Sequence, residues 1–178
     1  MKPEIQTHSG SFFNFLEPEK YPLDVGDIAH ALSHICRFGG HTKDFYSVAQ
    51  HSVYVARCLP KDKQLQGLFH DATESVLGDI PTPLKQPLPD YKAIEKNVER
   101  CIMIQLGLPV ELDPLVKHYD RVLLVTEQRD IMTQCADPLF WKPQDGVYPR
   151  EERIIPWGPI LAKRKFLDLY YELIRGSL

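Results

Sequence analysis

The sequence contains no long apolar run and no excess of positive charge. No uninterrupted apolar stretch approaches the roughly 20 residues that a membrane-spanning helix needs, and the start, Met1-Lys2-Pro3-Glu4, lacks the pattern of a secretory signal. The formal net charge of −3 offers no electrostatic footprint for nucleic acid or for an anionic membrane. We therefore expect a cytoplasmic protein with no membrane and no nucleic-acid polymer among its partners.

Cysteines are few, and alternating strand patterns are nearly absent. The four cysteines form no Cys-x-x-Cys pair, which favours reduced thiols over disulfides or a thiolate zinc site; they are Cys36, Cys58, Cys101 and Cys135. The 178 residues, of which 43% are hydrophobic and 25% charged, suffice for one well-cored globular domain and are short for two. We expect a single domain over residues 1–178.

Apolar residues recur at helical spacing along most of the chain, which predicts an all-α bundle of about five or six helices. The helix-start signals are Asp24, a Ser47-to-Gln50 capping box, Asp90, and Asp113 before Pro114. We expect a third helix to run unbroken from about residue 61 to 76 and a last one from about 159 to 176. Residues 5–16 are predicted to run extended on the surface.

Prolines interrupt this helical pattern in two places. Four prolines between residues 81 and 89 predict a stiff connector that is not helical throughout. Residues 136–159 hold five prolines and both tryptophans, which predicts an ordered loop that covers the site or meets a neighbouring subunit. That composition also leads us to expect a homo-oligomer.

Ionisable groups are concentrated in residues 67–85, where one histidine, three carboxylates and a lysine occur. His70 and Asp71 are adjacent, at the edge of an apolar helical stripe. Such a pair is costly to desolvate unless something compensates it, and a divalent cation is a common compensator. This stretch therefore predicts half of a metal site.

Two residues from other predicted helices complete the candidate metal site. His51 shares an apolar face with Val48 and Val55, and Asp120 lies one turn after Val116, so its carboxylate is expected to be largely buried. Mixed nitrogen and oxygen ligands suit one ion of manganese, cobalt, iron, zinc or magnesium and leave positions for water and substrate. Taken singly, each residue is more often a hydrogen-bonded core histidine, a helix cap or an ion-pair member, so spacing alone leaves both interpretations open.

The set His51, His70-Asp71 and Asp120 resembles the H…HD…D signature of the HD-domain phosphohydrolases, an all-α superfamily of metal-dependent phosphoesterases. Further blocks are similar to bacterial 5′-deoxynucleotidases, namely Arg37-Phe38-Gly39, Val48-Ala49-Gln50-His51-Ser52, His70-Asp71-Ala72-Thr73-Glu74 and Gly78-Asp79-Ile80-Pro81-Thr82-Pro83-Leu84-Lys85. Together with Cys36–His41 and Thr126–Asp130, they also resemble small phage and prophage HD hydrolases, including phage dATP triphosphohydrolases. The resemblance covers about residues 5–135.

The resemblance implies a role for each matching position. It makes His51, His70, Asp71 and Asp120 the ligands of one divalent metal ion, Glu74 and Asp79 the acid/base and water-orienting carboxylates, Arg37 and Lys85 the phosphate contacts, and Phe38, Thr82 and Pro83 the wall of the substrate pocket. Four of these residues have a simpler alternative. Glu74 is also interpreted as a solvated helix residue and Asp79 as a turn residue. Arg37 and Lys85 are also interpreted as ordinary surface charges. Phe38 stands where the nucleotidases usually have tryptophan, which leaves the base and sugar preference open.

The implied activity is release of phosphate from 2′-deoxynucleoside 5′-monophosphates by a mononuclear metal enzyme. An enzyme alternative is a triphosphohydrolase that cuts a dNTP to a deoxynucleoside and tripolyphosphate. The non-enzyme alternative is a helical nucleotide-binding module with a vestigial HD motif. His30 and His34 have the spacing of a zinc-protease pair, but no glutamate follows His30, which argues against a metalloprotease.

Overall fold

The computed structural model describes residues 2–137 and 146–176. In chain order its elements are β1 (Glu4–Gln6), β2 (Phe12–Asn14), α1 (Val25–His34), α2 (Val48–Cys58), α3 (Gln64–Phe69), α4 (Glu74–Leu77), α5 (Thr82–Lys85), α6 (Pro89–Gln105), α7 (Pro114–Asp130) and α8 (Pro159–Arg175), with 3₁₀ turns at Pro18–Lys20, Arg37–Gly40 and Lys61–Lys63. The predicted helical bundle is confirmed. No helix in the described ranges is long and apolar enough to cross a membrane.

Helix α2 lies at the centre because both hydrophobic clusters use it. The larger cluster joins α1, α2, α3 and α8 through side chains that are almost fully buried, among them Ile28, Val53, Phe69 and Phe166. Burying each such side chain contributes about 1.5–3 kcal/mol. The smaller cluster packs Val55 of α2 against α7. The helix between these clusters is the one that carries His51.

Three of the four predicted helix-start signals are side-chain caps in the structure. Asp24 accepts a hydrogen bond from the Gly26 amide, Ser47 from the Gln50 amide and Asp113 from the Leu115 amide; these are the caps of α1, α2 and α7. Two details of the prediction are wrong. Helix α6 begins at Pro89 with no side-chain cap, which leaves Asp90 in its first turn. The Gln50 side chain does not complete a capping box, because it binds the Ile155 carbonyl and the Trp157 amide.

The expected unbroken helix over residues 61–76 is wrong, because the chain tightens at His70 and Asp71. Helix α3 ends at Phe69, and the following backbone amides bond three residues back, as Glu74 does to the Asp71 carbonyl. The Nδ1 atom of His70 donates to the Gly67 carbonyl at 2.7 Å, which occupies the acceptor that a continuing α-helix would use. His70 and Asp71 therefore lie on a turn between α3 and α4.

The two irregular segments pack onto the bundle. Strands β1 and β2 form an antiparallel hairpin, in agreement with the extended chain expected for residues 5–16. The proline-rich connector contains one short helix, α5. Of the 136–159 segment, residues 138–145 lie outside the described part, and residues 150–157 contact α2 and α7. Its role as a cover or an interface stays a prediction.

Candidate active site

His51 and His70 meet through their ring nitrogens. His51 is fully buried, and its Nδ1 lies 2.6 Å from Oε1 of Glu127. The Nδ1 atoms of both rings are thus engaged by acceptors, Glu127 in one case and the Gly67 carbonyl in the other. The two Nε2 atoms lie 3.3 Å apart. With both Nδ1 atoms protonated, two neutral rings would point lone pairs at each other, so this place favours a cation.

Electrostatics at His51 also favour positive charge. Burial and the charge of Arg37 act to lower the pKa of His51, but Glu127 and a hydrogen bond to Asp120 outweigh them and raise it to about 9. A cation at this place is accordingly stabilised by the surrounding carboxylates. The residues present fit a divalent metal ion, because two imidazole nitrogens and carboxylate oxygens are suitable donors for it.

The structure brings all four predicted ligands together. Donor atoms of His51, His70 and Asp120 all lie within 4.8 Å of one another. Asp71 joins them, with its Oδ2 3.3 Å from Nε2 of His70 and 3.6 Å from Nε2 of His51. The Oδ1 of Asp120 lies 3.1 Å from Nε2 of His51.

The expectation that Asp120 is largely buried is wrong, since its side chain is 43% exposed. The carboxylate opens into a cavity of about 530 Å³ beside the histidines. Burial acts to raise the pKa of Asp120, but its hydrogen bond to His51 and the charge of that ring hold the pKa well below its usual value. The Asp120 carboxylate is therefore both ionised and accessible from the cavity.

Glu74 and Asp79 line the same cavity. Glu74 is 7% exposed, and within the described residues its Oε2 is buried without a hydrogen-bond partner. Burial, followed by the charges of Asp71 and Asp79, raises the pKa of Glu74 to about 9. Burial also raises the pKa of Asp79. Glu74 is thus not a solvated surface glutamate, and its raised pKa favours the protonated carboxyl group.

Arg37 is buried between two carboxylates. Its Nη1 lies 3.4 Å from Oδ2 of Asp71 and its Nη2 3.3 Å from Oε2 of Glu127. Although burial opposes it, the charges of Glu127 and Asp71 keep the pKa of Arg37 above its usual value. The Arg37 guanidinium lies 5.4 Å from the ring centre of Phe38, which has the unusual φ of 55°. Arg37 is therefore no ordinary surface charge.

Lys85 also lines the cavity and is held by helix α6. Its Nζ is 2.5 Å from Oε1 of Glu95 and 5.8 Å from the ring centre of Tyr91. Thr82 and Pro83 belong to the same cavity wall, so the structure brings every predicted site residue outside the buried histidines to one cavity. Its lining is Arg37, Phe38, Asp71, Glu74, Asp79, Ile80, Pro81, Thr82, Pro83, Lys85, Asp120 and Leu124.

The sequence of this chain matches a family model described as 5′-deoxynucleotidase YfbR-like over residues 20–140. The chain belongs to this family. The match spans all the predicted ligands and the whole cavity lining. It confirms the resemblance to HD-domain 5′-deoxynucleotidases that the motifs indicated.

Similar proteins include both uncharacterised and named YfbR-like relatives. The uncharacterized protein YfdR of Escherichia coli K12 is 39% identical over 170 residues, which cover 95% of this chain and 94% of that protein. The uncharacterized protein RCAP_rcc00048 of Rhodobacter capsulatus is 35% identical and covers 94% of each chain. A 5′-deoxynucleotidase of Cronobacter sakazakii is 29% identical over 130 residues, 67% of this chain and 54% of that protein.

Sequence reasoning assigned no role to two carboxylates of this YfbR-like site. Glu127 bonds both His51 and Arg37, and Glu95 binds Lys85. One signal for Glu127 was available, because it follows Asp120 by seven residues and two helical turns place both on one face of α7. No sequence pattern indicated Glu95.

Proposed function

We propose that this protein is a metal-dependent phosphohydrolase that converts 2′-deoxynucleoside 5′-monophosphates to deoxynucleosides and orthophosphate. The observation that carries the proposal is the convergence of the His51 and His70 Nε2 atoms with Asp71 and Asp120, beside the buried carboxyl group of Glu74. Membership of the YfbR-like family supports the same reaction class.

In the proposed reaction, the divalent ion would be held by His51, His70, Asp71 and Asp120. When bound, the ion would polarise a phosphoryl oxygen and lower the pKa of water. Asp79 orients the attacking water, while Arg37 binds and orients the phosphate by charge-assisted hydrogen bonds. The water oxygen attacks phosphorus as Asp79 accepts a proton from it, the bond from phosphorus to the 5′ oxygen breaks, and Glu74 gives its proton to that leaving oxygen. Release of the proton from Asp79 to solvent and uptake of one by Glu74 restore both carboxyl groups.

The charge balance of the cavity favours a monophosphate over a triphosphate. Among the residues that line it, Arg37 and Lys85 are the cations, and both are already paired with carboxylates. A monophosphate ester brings about two negative charges at neutral pH, whereas a triphosphate brings more. The carboxylates of the same lining other than the proton donor Glu74 would repel the additional charge. The dNTP triphosphohydrolase is therefore the second candidate.

Phosphate release from a panel of dNMPs, NMPs and dNTPs tests this function, with each substrate assayed in EDTA and in Mn²⁺, Co²⁺, Mg²⁺ and Zn²⁺. We expect orthophosphate from dNMPs with at least one metal and none in EDTA. Tripolyphosphate from dNTPs, with no turnover of dNMPs, would overturn the monophosphate proposal in favour of the triphosphohydrolase. Absence of turnover in all combinations would favour a binding module.

The variants Asp71→Ala and Asp62→Ala distinguish a specific effect on the site from a general loss of folding. Asp71 lies between His70 and Arg37, whereas Asp62 has a 74% exposed side chain next to Lys63. Asp71→Ala is expected to lose metal content and activity while keeping its helical circular dichroism. Asp62→Ala is expected to keep all three. Turnover by Asp71→Ala in metal-free buffer would contradict the mechanism.

A further inference from the structure

Glu127 connects two parts of the site that have different proposed tasks. It is fully buried on α7, and its two oxygens have different partners. Oε1 accepts from Nδ1 of His51 at 2.6 Å, and Oε2 accepts from Nη2 of Arg37 at 3.3 Å. Glu127 does not line the cavity, so it reaches substrate only through these two residues.

The bond to His51 determines which ring nitrogen is available as a ligand. A carboxylate accepts hydrogen bonds, so the ionised Glu127 keeps the proton of His51 on Nδ1 and leaves Nε2 for the shared site. The 2.6 Å bond to this carboxylate thus fixes the orientation of the buried His51 ring.

The bond to Arg37 fixes the orientation of the guanidinium. Nη1 and Nη2 are occupied by Asp71 and Glu127, and within the described residues Nε has no hydrogen-bond partner. One carboxylate thus sets the position of a metal ligand and of a phosphate contact. Helix α7 also carries Asp120, two turns before Glu127. One helix therefore supplies the proposed ligand Asp120 and, through Glu127, the hydrogen bond that orients the proposed ligand His51.

We propose that Glu127 is a positioning residue that aligns His51 for the metal and Arg37 for the phosphate, and so makes the affinities for both depend on one buried carboxylate. The inference rests on the metal site of the proposed function. It adds that the affinity of this site for metal and for phosphate is set partly by a residue that touches neither the metal nor the phosphate.

Direct binding measurements on Glu127→Gln test the inference without any turnover. The amide keeps the shape of the side chain and loses its charge. We expect Mn²⁺ to bind about 10–100-fold more weakly in a calorimetric titration, which is the usual loss when such an outer partner is removed. With Mn²⁺ at saturation, inorganic phosphate is expected to bind about tenfold more weakly, because the Arg37 guanidinium is no longer held in its orientation by the Glu127 carboxylate.

Asp130→Asn is the matched control, since Asp130 is another buried carboxylate of α7 whose partners lie away from the cavity. We expect it to lower the melting temperature and to leave both dissociation constants within about twofold, well under the loss expected at Glu127. A Glu127→Gln protein that melts earlier but binds Mn²⁺ and phosphate like the wild type would show that Glu127 is structural only, and would overturn the inference.

Two further measurements keep the inference testable if Glu127→Gln does not fold. Glu127→Asp retains the charge on a shorter side chain and is expected to weaken Mn²⁺ binding less than the amide. In the zinc-loaded wild type, long-range ¹H–¹⁵N NMR is expected to place the His51 proton on Nδ1, and a proton on Nε2 would contradict the inference. If the wild type binds Mn²⁺ but turns over no nucleotide, the proposed function is wrong, whereas the role of Glu127 in metal binding is unaffected.

Discussion

Glu74 combines near-complete burial with an unpaired carboxyl oxygen and a raised pKa. Its neighbours Asp71 and Asp79 both disfavour its ionised form, so it is suited to donating a proton. We predict that Glu74→Gln lowers kcat for dNMP hydrolysis by about 10²–10⁴-fold, the usual contribution of a general acid. Its Mn²⁺ affinity should remain near that of the wild type, since Glu74 is not a proposed ligand. Loss of Mn²⁺ binding in this variant would instead make Glu74 part of the metal shell.

Phe38 lines the cavity, and its left-handed backbone costs energy unless the surrounding structure holds it. We predict that Phe38→Ala raises the KM for dNMPs about tenfold with little change in kcat, because stacking of one base contributes about 1–3 kcal/mol. Phe12→Ala is the matched control, as Phe12 is 60% exposed on the hairpin. Equal KM values for both variants would remove Phe38 from substrate binding.

Asp130 connects the end of α7 to Arg153 and Ile154, which precede α8. Its carboxylate, 3% exposed, accepts from Arg129, Arg153 and the Ile154 amide. The Arg129 hydrogen bond is the largest influence and, although burial opposes it, holds the pKa of Asp130 well below its usual value. A lowered pKa means that the ionised form stabilises the fold above pH 4, and that this contribution disappears as the pH falls below 4.

We therefore predict that Asp130→Asn lowers the free energy of unfolding by about 2 kcal/mol at pH 7, because charged hydrogen bonds are lost. The difference between the variant and the wild type should shrink as the pH falls from about 4 to 2. Urea unfolding at several pH values measures both quantities. A difference that stays constant down to pH 2 would mean that the charge of Asp130 does not contribute.

Helices α2 and α3 pack closely at Gly67, and this contact brings His70 towards His51. A Cβ atom at Gly67 would collide with Cδ1 of Leu59 and lie 3.2 Å from Cα of Ala56. We predict that Gly67→Ala costs about 1–3 kcal/mol of stability and weakens Mn²⁺ binding, because α3 must move away from α2. The double variant Gly67→Ala with Leu59→Val should recover part of the loss, as a double-mutant cycle would show. Simple additivity would contradict a collision with Leu59.

At the level of elements, the sequence predicts what depends on neighbouring residues. The caps Asp24, Ser47 and Asp113 act locally, so the starts of α1, α2 and α7 could be recognised. The break after Phe69 could not, since 3₁₀ and α spacing bury nearly the same positions and the cause is a side-chain bond from His70. The hydrogen bond of Glu127 to His51 joins residues 76 positions apart and depends on how two helices pack.

At the level of the whole molecule, the proposed ligands come from separate elements. His51 lies on α2, His70 and Asp71 on the turn between α3 and α4, and Asp120 on α7. The two hydrophobic clusters place these elements side by side, but the carboxylates and imidazoles at their junction gain most when a cation joins them. Residues that converge only after folding are expected to bind metal in the folded state alone, which couples metal binding to stability.

Metal removal tests this coupling on the complete protein. A ligand that binds only the folded state at 100 times its dissociation constant adds about 2.7 kcal/mol, and for a chain of this size each kcal/mol shifts the melting temperature by about 2–4 °C. We predict that saturating Mn²⁺ raises the melting temperature of EDTA-treated protein by about 5–10 °C. Asp71→Ala should lose this shift and Asp62→Ala should keep it. An equal shift in all three proteins would mean that the ion binds elsewhere, because Asp71 lies within 3.6 Å of both imidazole nitrogens that the proposed site requires.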